Sequence, residues 1–474
     1  MFRQVSIYMI ANIVSALFGF ASVVIFTRVL APEEYGVYIV GFGIAAMISA
    51  LAFGWIKASV VPFTADESGT DIRATAGSAF LALALLVPAL YFGIGAFTPD
   101  AKSYLLPAIL LAFGIGFFEF YLEIFRARQA TGPYLWATIL RAALALGLSL
   151  ILVMLFNWGG VGILSSIALS YFLAAAFYSV LIWRGPRRPF DRSLLRAMLA
   201  FGIPMTLSGT VFVFQSMIDR LVVASFLGEH AAGLYGASAD LVRQILLFPG
   251  VAIGTAVAPI AIRLMAKNDA QAVDRHMVDS TELLLAVLAP AIAGLAIVAP
   301  KLAALVLGED FRLDAGQLIP IVAFAWLFRS VSYQLLHVSF QIQKKAGLML
   351  AQGIAICLIS AACLYALVPA FGLIGAAWSI VISEAFGVVI GYALSRLAYP
   401  LPIDARPVIK VGLATLGMAL PTFFLDRALP GQGPVEIALP ILAGIVLYAA
   451  AVFGLDIAGI RTRLRARSGT VPAA

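Results

Sequence analysis

Apolar runs recur along nearly the whole length of this 474-residue chain, and only short polar stretches separate them. Each run is about 20 residues long, enough for one α-helix to cross the hydrocarbon core of a bilayer. Charged residues make up 12% of the sequence, whereas soluble domains carry about 25%. Such a chain could not solvate its surface in water. We therefore predict an all-α polytopic membrane protein without a separate soluble domain.

We predict about fourteen transmembrane helices. The first apolar run is too long for a signal peptide, and no small-residue cleavage site follows it, so we count it as the first span. The predicted spans cover residues 6–27, 37–60, 75–97, 104–124, 134–156, 160–183, 200–226, 234–262, 278–299, 315–340, 346–368, 372–395, 408–425 and 435–456.

The distribution of basic residues predicts the orientation. Most of the 31 Lys and Arg residues fall in the loops and tails on the side that holds both termini. The positive-inside rule places that side in the cytoplasm. We therefore expect a multi-pass membrane protein with both termini cytoplasmic. The same rule explains the net charge of +7 without a nucleic-acid partner.

A short half-polar stretch occurs twice in the chain. FTRVLAPEEYGVY occupies residues 26–38, and VASFLGEHAAGLY occupies residues 223–235, which is 223 − 26 = 197 positions later. Aligned without gaps, the two stretches share Leu30 with Leu227, Gly36 with Gly233 and Tyr38 with Tyr235. Each stretch follows the first span of a predicted six-span half, where it would form the first outer turn.

Two further pairs support a duplication. FRARQATG at 125–132 matches FQIQKKAG at 340–347, and a Gly-x-x-Gly pair opens both the sixth and the twelfth predicted span. Six spans are an even number, so both halves enter the membrane from the same side as parallel repeats. We predict two parallel six-helix lobes around a central cavity, plus two extra C-terminal helices.

The duplication and the basic stretches predict the domain boundaries. The basic segment that joins the sixth and seventh spans is expected to lie on the anionic cytoplasmic leaflet. The predicted parts are an N-terminal lobe 1–183, a basic linker 184–199, a C-terminal lobe 200–398, two additional helices 399–457 and a basic cytoplasmic tail 458–474.

Four stretches of the chain resemble one known family. They are RVLAPEEYGVY after the first span, FRARQATG before the fifth, LLRAMLAFGIPMTLSGT leading into the seventh, and the following SMIDRLVVASFLGEHAAGLYGASADLV. Together with the span count they resemble the Wzx-type oligosaccharide flippases of the multidrug/oligosaccharidyl-lipid/polysaccharide exporter (MOP) superfamily. Leu30, Gly36 and Tyr38 match the turn of that family, and Phe201, Gly202 and Pro204 match its entry to the seventh span.

The resemblance implies a flippase of the bacterial inner membrane rather than an enzyme. Such a protein moves undecaprenyl-diphosphate-linked oligosaccharide repeat units from the cytoplasmic to the outer leaflet by alternating access, for lipopolysaccharide or exopolysaccharide synthesis. The expected partners are this lipid-linked sugar, the phospholipid bilayer, and a polysaccharide polymerase and chain-length regulator. No cofactor is expected, and coupling to H⁺ or Na⁺ is left open.

Three other functions remain as alternatives. A lipid II flippase and a cation-coupled multidrug antiporter belong to the same superfamily. A membrane-embedded glycosyltransferase or polymerase would need catalytic carboxylates in a long outer loop, and the sequence has no such loop. It also lacks HExxH, CxxC and P-loop motifs, and its two cysteines, Cys357 and Cys363, lie in one apolar run, where we expect them to pack.

Charges inside the predicted spans are the candidate substrate contacts, because each is costly in hydrocarbon. Arginine suits a diphosphate best. Arg329 is predicted to share a helical face with Tyr333 and His337 and to face the cavity. Alternatively, Arg329 forms a buried pair with an acid such as Glu384, and His337 lies at the interface.

The seventh predicted span carries a polar stripe of Ser208, Gln215 and Asp219, which we expect to face the cavity or the other lobe. Asp219 could alternatively pair with Arg243 or carry protons. Arg220 points elsewhere and could contact substrate or extend to the outer interface. Arg243 is also a cavity candidate, unless it pairs with Asp240.

Lys57, Arg141 and Arg28 complete the candidates. Lys57 and Arg141 could contact substrate or reach the cytoplasmic headgroups, and Arg28 could stand at the cavity mouth or anchor the interface. Two further groups are expected to be structural. One is the small-residue stripe Asn12, Ser15, Gly19 and Ser22, which could alternatively line the cavity. The other is the acidic pair Glu119 and Glu123 beside Arg126 and Arg128.

Overall fold

The computed structural model describes residues 2–64, 71–97, 102–184, 189–402 and 404–462. These residues form helices and connecting turns, and none of them lies in a β-strand. The helices are α1 (Phe2–Val29), α2 (Pro32–Thr64), α3 (Arg73–Ala84), α4 (Val87–Phe97), α5 (Lys102–Ala127), α6 (Thr131–Met154), α7 (Gly159–Ile182), α8 (Arg192–Ala266), α9 (Ala270–Val306), α10 (Glu309–Val331), α11 (His337–Ile342), α12 (Ala346–Ser395), α13 (Ala405–Ala428) and α14 (Pro434–Gly454).

Within the described residues, 11 helical segments are long and apolar enough to cross a membrane, or 12 if the bent pair α3–α4 forms one span. The predicted all-α polytopic membrane class is therefore confirmed, while the count of fourteen stays a prediction. The bend of 40° between α3 and α4 falls inside the predicted span 75–97, which the apolar pattern alone presented as one continuous helix.

Two glycines break helices that the backbone hydrogen bonds otherwise continue. Gly228 in α8 has φ 81°, and Gly372 in α12 has φ 58°. Glycine adopts this region because it has no Cβ. The breaks lie at or beside the predicted junctions between the seventh and eighth and the eleventh and twelfth spans. Helix α8 begins at Arg192, within the predicted basic linker, so the helix starts before the predicted seventh span.

The chain divides into two compact units, Met1–Gly236 and Ala237–Ala474. The first unit contains α1 to α7 and the larger part of α8. This division by packing differs from the predicted division by repeats, in which the N-terminal lobe ends at residue 183. The predicted lobes stay a prediction, since compact units need not follow sequence repeats.

Aromatic side chains fill the core of the first unit. Phe53 stacks on Phe80 with ring centroids 5.0 Å apart and meets Phe113 edge-on at 4.8 Å. Gly116 of α5 allows this close packing, because a Cβ there would lie 2.5 Å from the Phe53 ring. The buried Arg73 donates to the carbonyls of Ile182 and Arg184 and thereby fastens the start of α3 to the end of α7.

Buried polar contacts join the helices of the second unit. Lys301 of α9 donates to the Asp426 carboxylate of α13 at 2.8 Å. Ser339 of α11 donates to the carbonyl of Tyr399, and the Tyr399 hydroxyl donates to Asp274 of α9 at 2.6 Å. Burial and this carboxylate together raise the pKa of Tyr399, which follows the end of α12. These bonds fasten α11 and α13 to α9 and fix the segment after α12.

Candidate functional site

A cavity of about 440 Å³ lies within the first unit, and we call it the polar cavity because its otherwise largely apolar wall carries an ion pair and several hydroxyl groups. Residues from α2, α5, α7 and the first part of α8 form its wall, so it is bounded by four helices of one compact unit. The lining side chains and glycines are Phe42, Ala46, Ser49, Ala50, Phe53, Gly54, Lys57, Ala58, Ile115, Gly116, Glu119, Tyr171, Met205, Thr206, Gly209, Thr210 and Val213.

An ion pair provides the charged groups of this cavity wall. Lys57 Nζ of α2 lies 2.9 Å from Glu119 Oε2 of α5, and the two side chains are 45% and 39% exposed. Both groups therefore reach the cavity solvent and can exchange their mutual hydrogen bond for one to a ligand. Lys57 can donate to phosphate or sugar oxygens, and Glu119 can accept from sugar hydroxyls.

The structure corrects the expected partner of Glu119. The sequence placed Glu119 and Glu123 together beside Arg126 and Arg128, because they are neighbours along the helix. In the structure Glu123 pairs with Arg126 at 2.7 Å, whereas Glu119 pairs with Lys57 of another helix. The expected cytoplasmic-edge network thus contains Glu123, and Glu119 belongs to the cavity.

An aromatic ring stands between Arg141 and the cavity. The Arg141 guanidinium lies 4.8 Å from the centroid of the Tyr171 ring, which is a cation–π distance. Tyr171 lines the cavity, and Phe118 meets it edge-on at 5.5 Å. Arg141 therefore contacts a ring of the cavity wall without lining the cavity itself, whereas Lys57 lines it directly.

Small residues and a buried hydroxyl shape the α8 side of the cavity. A Cβ on Gly54 would lie 2.7 Å from the Thr206 methyl group, so glycine lets α8 approach α2. Thr210 is 9% exposed, and its Oγ1 is buried without a hydrogen-bond partner in the described residues. A buried hydroxyl without a hydrogen bond lowers the stability of the protein. Because Thr210 lines the cavity, a bound ligand could supply the missing hydrogen bond.

Three candidates of the seventh predicted span lie outside this wall. Gln215, Asp219 and Arg220 are 5%, 7% and 5% exposed. Asp219 accepts a hydrogen bond of 2.9 Å from the Tyr235 hydroxyl. The alternative in which Arg220 extends to the interface does not fit its burial. The side chain of Ser208 lies outside the described residues, as does that of Asn12.

The remaining candidates of the N-terminal part have structural surroundings. Arg28 is an exposed residue in the last turn of α1, as an interface anchor or a mouth residue would be. Ser15, Gly19 and Ser22 do not line the 440 Å³ cavity. Ser22 donates to the carbonyl of Phe18 within its own helix.

In the second unit, Arg329 has the buried partner that the sequence offered as an alternative. Its Nε lies 2.7 Å from Glu384 Oε1, and Glu384 is 1% exposed. The guanidinium also lies 5.5 Å from the Trp326 ring centroid. Arg243 pairs with Asp240 at 3.6 Å, which was likewise the alternative considered for it.

A π-helical turn, Ser332–Leu336, separates α10 from α11. This turn adds a residue after Arg329. The prediction that Arg329, Tyr333 and His337 share one helical face assumed α-helical periodicity, and the π-helical turn interrupts that periodicity. The rings of Tyr333 and His337 still lie 5.0 Å apart. His337 is 4% exposed, so its side chain is enclosed by other residues of the protein. Turns of this kind are frequent at functional sites.

A second cavity of about 560 Å³ lies within the second unit. Its wall is apolar apart from the hydroxyls of Thr422 and Tyr448, and its residues come from α8, α9, α13 and α14. They are Ile245, Pro290, Ala291, Gly294, Leu295, Val298, Leu302, Met418, Thr422, Pro440, Ile441, Gly444, Ile445, Tyr448 and Ala449. The sequence indicated nothing of this cavity, because its members are ordinary apolar residues of separate helices.

The fold is shared with transporters of the MOP superfamily. A structure of "Lipid II flippase MurJ, inward closed conformation" is similar over 95% of this chain and 98% of that chain, with a TM-score of 0.79 and 15% identity. An inward-facing multidrug resistance MATE family transporter of the MOP superfamily is similar over 82% of this chain and 93% of that one, with a TM-score of 0.65 and 18% identity.

A sequence relative and a family profile carry the identification further. "Teichuronic acid biosynthesis protein TuaB" of Bacillus subtilis (strain 168) is 23% identical over 279 residues, which are 56% of this chain and 55% of the relative. The match spans about half the length of that relative. The resemblance to polysaccharide flippases is confirmed by the profile described as "Polysaccharide biosynthesis protein", which matches residues 1–265. Because this match covers more than half of the chain, the protein belongs to that polysaccharide biosynthesis family.

Proposed function

We propose that the protein is a flippase for undecaprenyl-diphosphate-linked oligosaccharides in a bacterial inner membrane. It would move the repeat unit from the cytoplasmic to the outer leaflet, with both termini in the cytoplasm. A polysaccharide polymerase and a chain-length regulator would then use the exported unit. Family membership and the transporter fold support transport in polysaccharide synthesis.

The observation that carries this proposal is the Lys57–Glu119 pair in the wall of the polar cavity. A lipid-linked oligosaccharide has a polar head that must cross the bilayer without contact with hydrocarbon. The cavity offers that head one ammonium group, one carboxylate, the Tyr171 ring and the Thr210 hydroxyl. Lysine and carboxylate side chains with an aromatic face can bind both phosphate oxygens and sugar hydroxyls.

The apolar cavity of the second unit supports a lipid-linked substrate as well. A wall built from side chains such as Leu295, Leu302 and Ile441 suits a hydrocarbon chain and offers little to a sugar. Transport would be coupled to H⁺ or Na⁺. Among the candidate residues named from the sequence, Asp219 has a carboxylate that could carry the proton. Asp219 is buried and accepts a hydrogen bond from the Tyr235 hydroxyl.

The test uses a strain that lacks the gene and carries the wild type, Lys57→Met or Glu119→Gln. Undecaprenyl-diphosphate-linked oligosaccharides are extracted and surface polysaccharide is measured. We expect the deletion to accumulate lipid-linked units facing the cytoplasm. Both variants should reach the membrane in normal amounts and restore less than about a tenth of the surface polysaccharide, the loss that follows when a charged hydrogen bond is removed. Lys102→Met, a lysine at the start of α5 outside the cavity wall, is the matched control.

Three results would contradict the proposal or its supporting observation. Unchanged lipid-linked sugars in the deletion, together with sensitivity to small cationic compounds, would indicate the multidrug antiporter. Accumulated lipid II would indicate the lipid II flippase. Full restoration by both cavity variants would remove the polar cavity from the substrate path, even if the deletion phenotype held.

A further inference from the structure

The charged groups in the wall of the polar cavity cancel each other. Lys57 and Glu119 are the charged residues among the described residues of this wall, and they lie 2.9 Å apart. The next acidic residue along α5, Glu123, has its own partner in Arg126 at 2.7 Å. The wall therefore offers a ligand both an ammonium group and a carboxylate group but no net formal charge.

Arg141 does not add a positive charge to the wall. Its guanidinium lies 4.8 Å from the centroid of the Tyr171 ring, and the ring rather than the guanidinium belongs to the cavity lining. The negative face of an aromatic ring stabilises a cation held at this distance. Tyr171 thus contributes an aromatic surface to the cavity, together with Phe42 and Phe53.

The diphosphate group of a lipid-linked oligosaccharide does not fit this wall. A diphosphate linkage carries two negative charges and many acceptor oxygens, and proteins bind such groups with arginines, lysines or several backbone N–H groups. The cavity wall offers the single ammonium group of Lys57, and the Glu119 carboxylate beside it would repel the anion. Bringing like charges together in a binding site strongly weakens binding.

An uncharged sugar residue fits the same wall well. Its hydroxyl groups can donate to Glu119 and accept from Lys57 while the two charges stay together. The Thr210 hydroxyl, which has no hydrogen-bond partner in the described residues, can bond to another sugar hydroxyl. The apolar faces of the sugar ring can pack on the aromatic side chains of the wall. The volume of about 440 Å³ lies within the range of small-molecule sites, about 300–1,000 Å³.

We propose that the polar cavity is a binding site for uncharged sugar residues of the oligosaccharide, and that Glu119 excludes acidic sugars such as uronic acids from it. The proposal rests on the proposed function and adds which part of the substrate enters this cavity. A uronic acid differs from a hexose by a carboxylate at C6. In the cavity that carboxylate would compete with Glu119 for Lys57, and one of the two anions would be left without a cation.

The first experiment measures the binding of small glycosides to the purified full-length protein in detergent micelles, by saturation-transfer NMR. The probes are the methyl glycosides of glucose, galactose and mannose and their three uronates, so that the members of each pair differ only at C6. Every neutral glycoside that binds should bind at least about tenfold more tightly than its uronate, because the uronate meets the charge of Glu119. Equal or tighter binding of the uronates would overturn the proposal, as would the absence of binding by all three neutral glycosides.

Two variants break the same ion pair but remove opposite charges. Glu119→Gln leaves Lys57 free to pair with a ligand carboxylate, so the uronates should bind at least as tightly as the neutral glycosides. Lys57→Met leaves Glu119 in place, so the preference for neutral glycosides should persist. Each variant should weaken the binding of neutral glycosides about tenfold, because a hydrogen bond to a charged group is lost. If both variants keep the preference, or both lose it, the charge of Glu119 is not selective and the proposal is wrong.

Two control variants test the place of binding. Ala50 of α2 belongs to the cavity wall, and the side chain of Ala50→Trp would fill the space beside it. Binding of neutral glycosides should be lost in Ala50→Trp and unchanged in Lys102→Met, which lies outside the wall. Binding that persists in a folded Ala50→Trp protein would place the sugar elsewhere and overturn the proposal.

A further measurement needs no variant to fold. The methyl ester of each uronate nearly keeps the shape of the acid but has no charge. Each ester should bind the wild-type protein within about threefold of its neutral glycoside, because Glu119 no longer meets an anion. An ester that binds as weakly as the free uronate would show that shape rather than charge excludes the acid, which would refute the role of Glu119.

The binding assay separates this proposal from the proposed function, because it involves neither a lipid carrier nor transport. If the deletion strain accumulates lipid-linked units while the purified protein prefers uronates, the flippase function stands and the uncharged sugar is refuted. If the purified protein prefers neutral glycosides while lipid-linked units in the deletion strain are unchanged, the sugar site stands and the flippase function is refuted.

Discussion

The Arg329–Glu384 pair allows a direct choice between a structural and a transport role. Arg329 Nε lies 2.7 Å from Glu384 Oε1, and the two side chains are 24% and 1% exposed. The attraction between such charges amounts to about 4 kcal/mol or more at an effective dielectric constant of about 20. Desolvation of the same groups offsets most of it. The pair as a whole should therefore add little net stability.

Removing one partner should be far worse than removing both. Arg329→Met leaves the fully buried Glu384 uncompensated, which should lower the unfolding free energy by about 3–5 kcal/mol. Glu384→Met leaves Arg329, which is a quarter exposed and can still reach water, so the expected loss is about 1–3 kcal/mol. In the double variant both charges are absent, and we expect a value within about 1 kcal/mol of the wild type.

The assay is a double-mutant cycle by reversible unfolding in mixed detergent micelles, combined with complementation of the deletion strain. A double variant that is stable and active would assign the pair a structural role. A double variant that is stable but inactive would support the original hypothesis that Arg329 contacts substrate. If the double variant is as unstable as Arg329→Met, charge compensation is not what the pair provides, and the reasoning is refuted.

Three further predictions follow from single contacts. Hydrogen bonds from Ser193 and Leu194 hold the pKa of Asp191 below its usual range. The backbone at the start of α8 should therefore be protected from hydrogen exchange while Asp191 is ionised, and should lose this protection as the pH falls through the lowered pKa. Hydrogen exchange at Leu194 should be faster in Asp191→Ala than in the wild type at neutral pH, and equally fast in both proteins in acid. Lys301→Met should lower the unfolding free energy by up to about 3 kcal/mol, because it leaves the Asp426 carboxylate without its ion-pair partner. Adding Asp426→Asn should recover part of that loss, as measured in the same micelle assay. Thr210→Val should raise or preserve thermal stability, because it removes a buried hydroxyl that has no hydrogen-bond partner in the described residues. The same variant should lower the amount of surface polysaccharide. Unchanged export would exclude Thr210 from substrate binding.

The helices could be predicted from sequence because hydrocarbon imposes one requirement on every span, and runs of apolar residues reveal it locally. Pairings between helices are not local, so they were harder to infer. Glu384 was considered as the partner of Arg329, since few acids are available at that depth. Lys57 was not connected with Glu119, because the nearby Arg126 and Arg128 offered partners along the same helix.

Other features depend on geometry that the apolar pattern does not record. The π-helical turn Ser332–Leu336 contains neither glycine nor proline. The bend between α3 and α4 lies directly before Pro88, the second residue of α4, and proline cannot continue the hydrogen-bond pattern of the preceding turn. The glycine breaks were nearly predictable, because Gly228 and Gly372 stand at or beside expected span junctions. The duplication was visible as two similar stretches. In the structure Gly36 packs on the Glu229 backbone and Gly233 on the Pro32 backbone, so the two stretches lie against each other, and their similarity alone does not indicate this contact.

The placement of the unit boundary at Gly236 has a consequence for the synthesis of the chain. Trp55 and Ser59 of α2 receive partners from Gly202 and Met198, and Ile39 receives one from Gly236. When the first repeat has left the ribosome at residue 183, one side of α2 still has no protein neighbour and must be covered by lipid or by the insertion machinery. The first unit becomes a finished piece of protein only after its sequence has entered the second repeat. A fragment 1–236 should therefore persist in the membrane, whereas a fragment that ends within the linker 184–199 should be degraded.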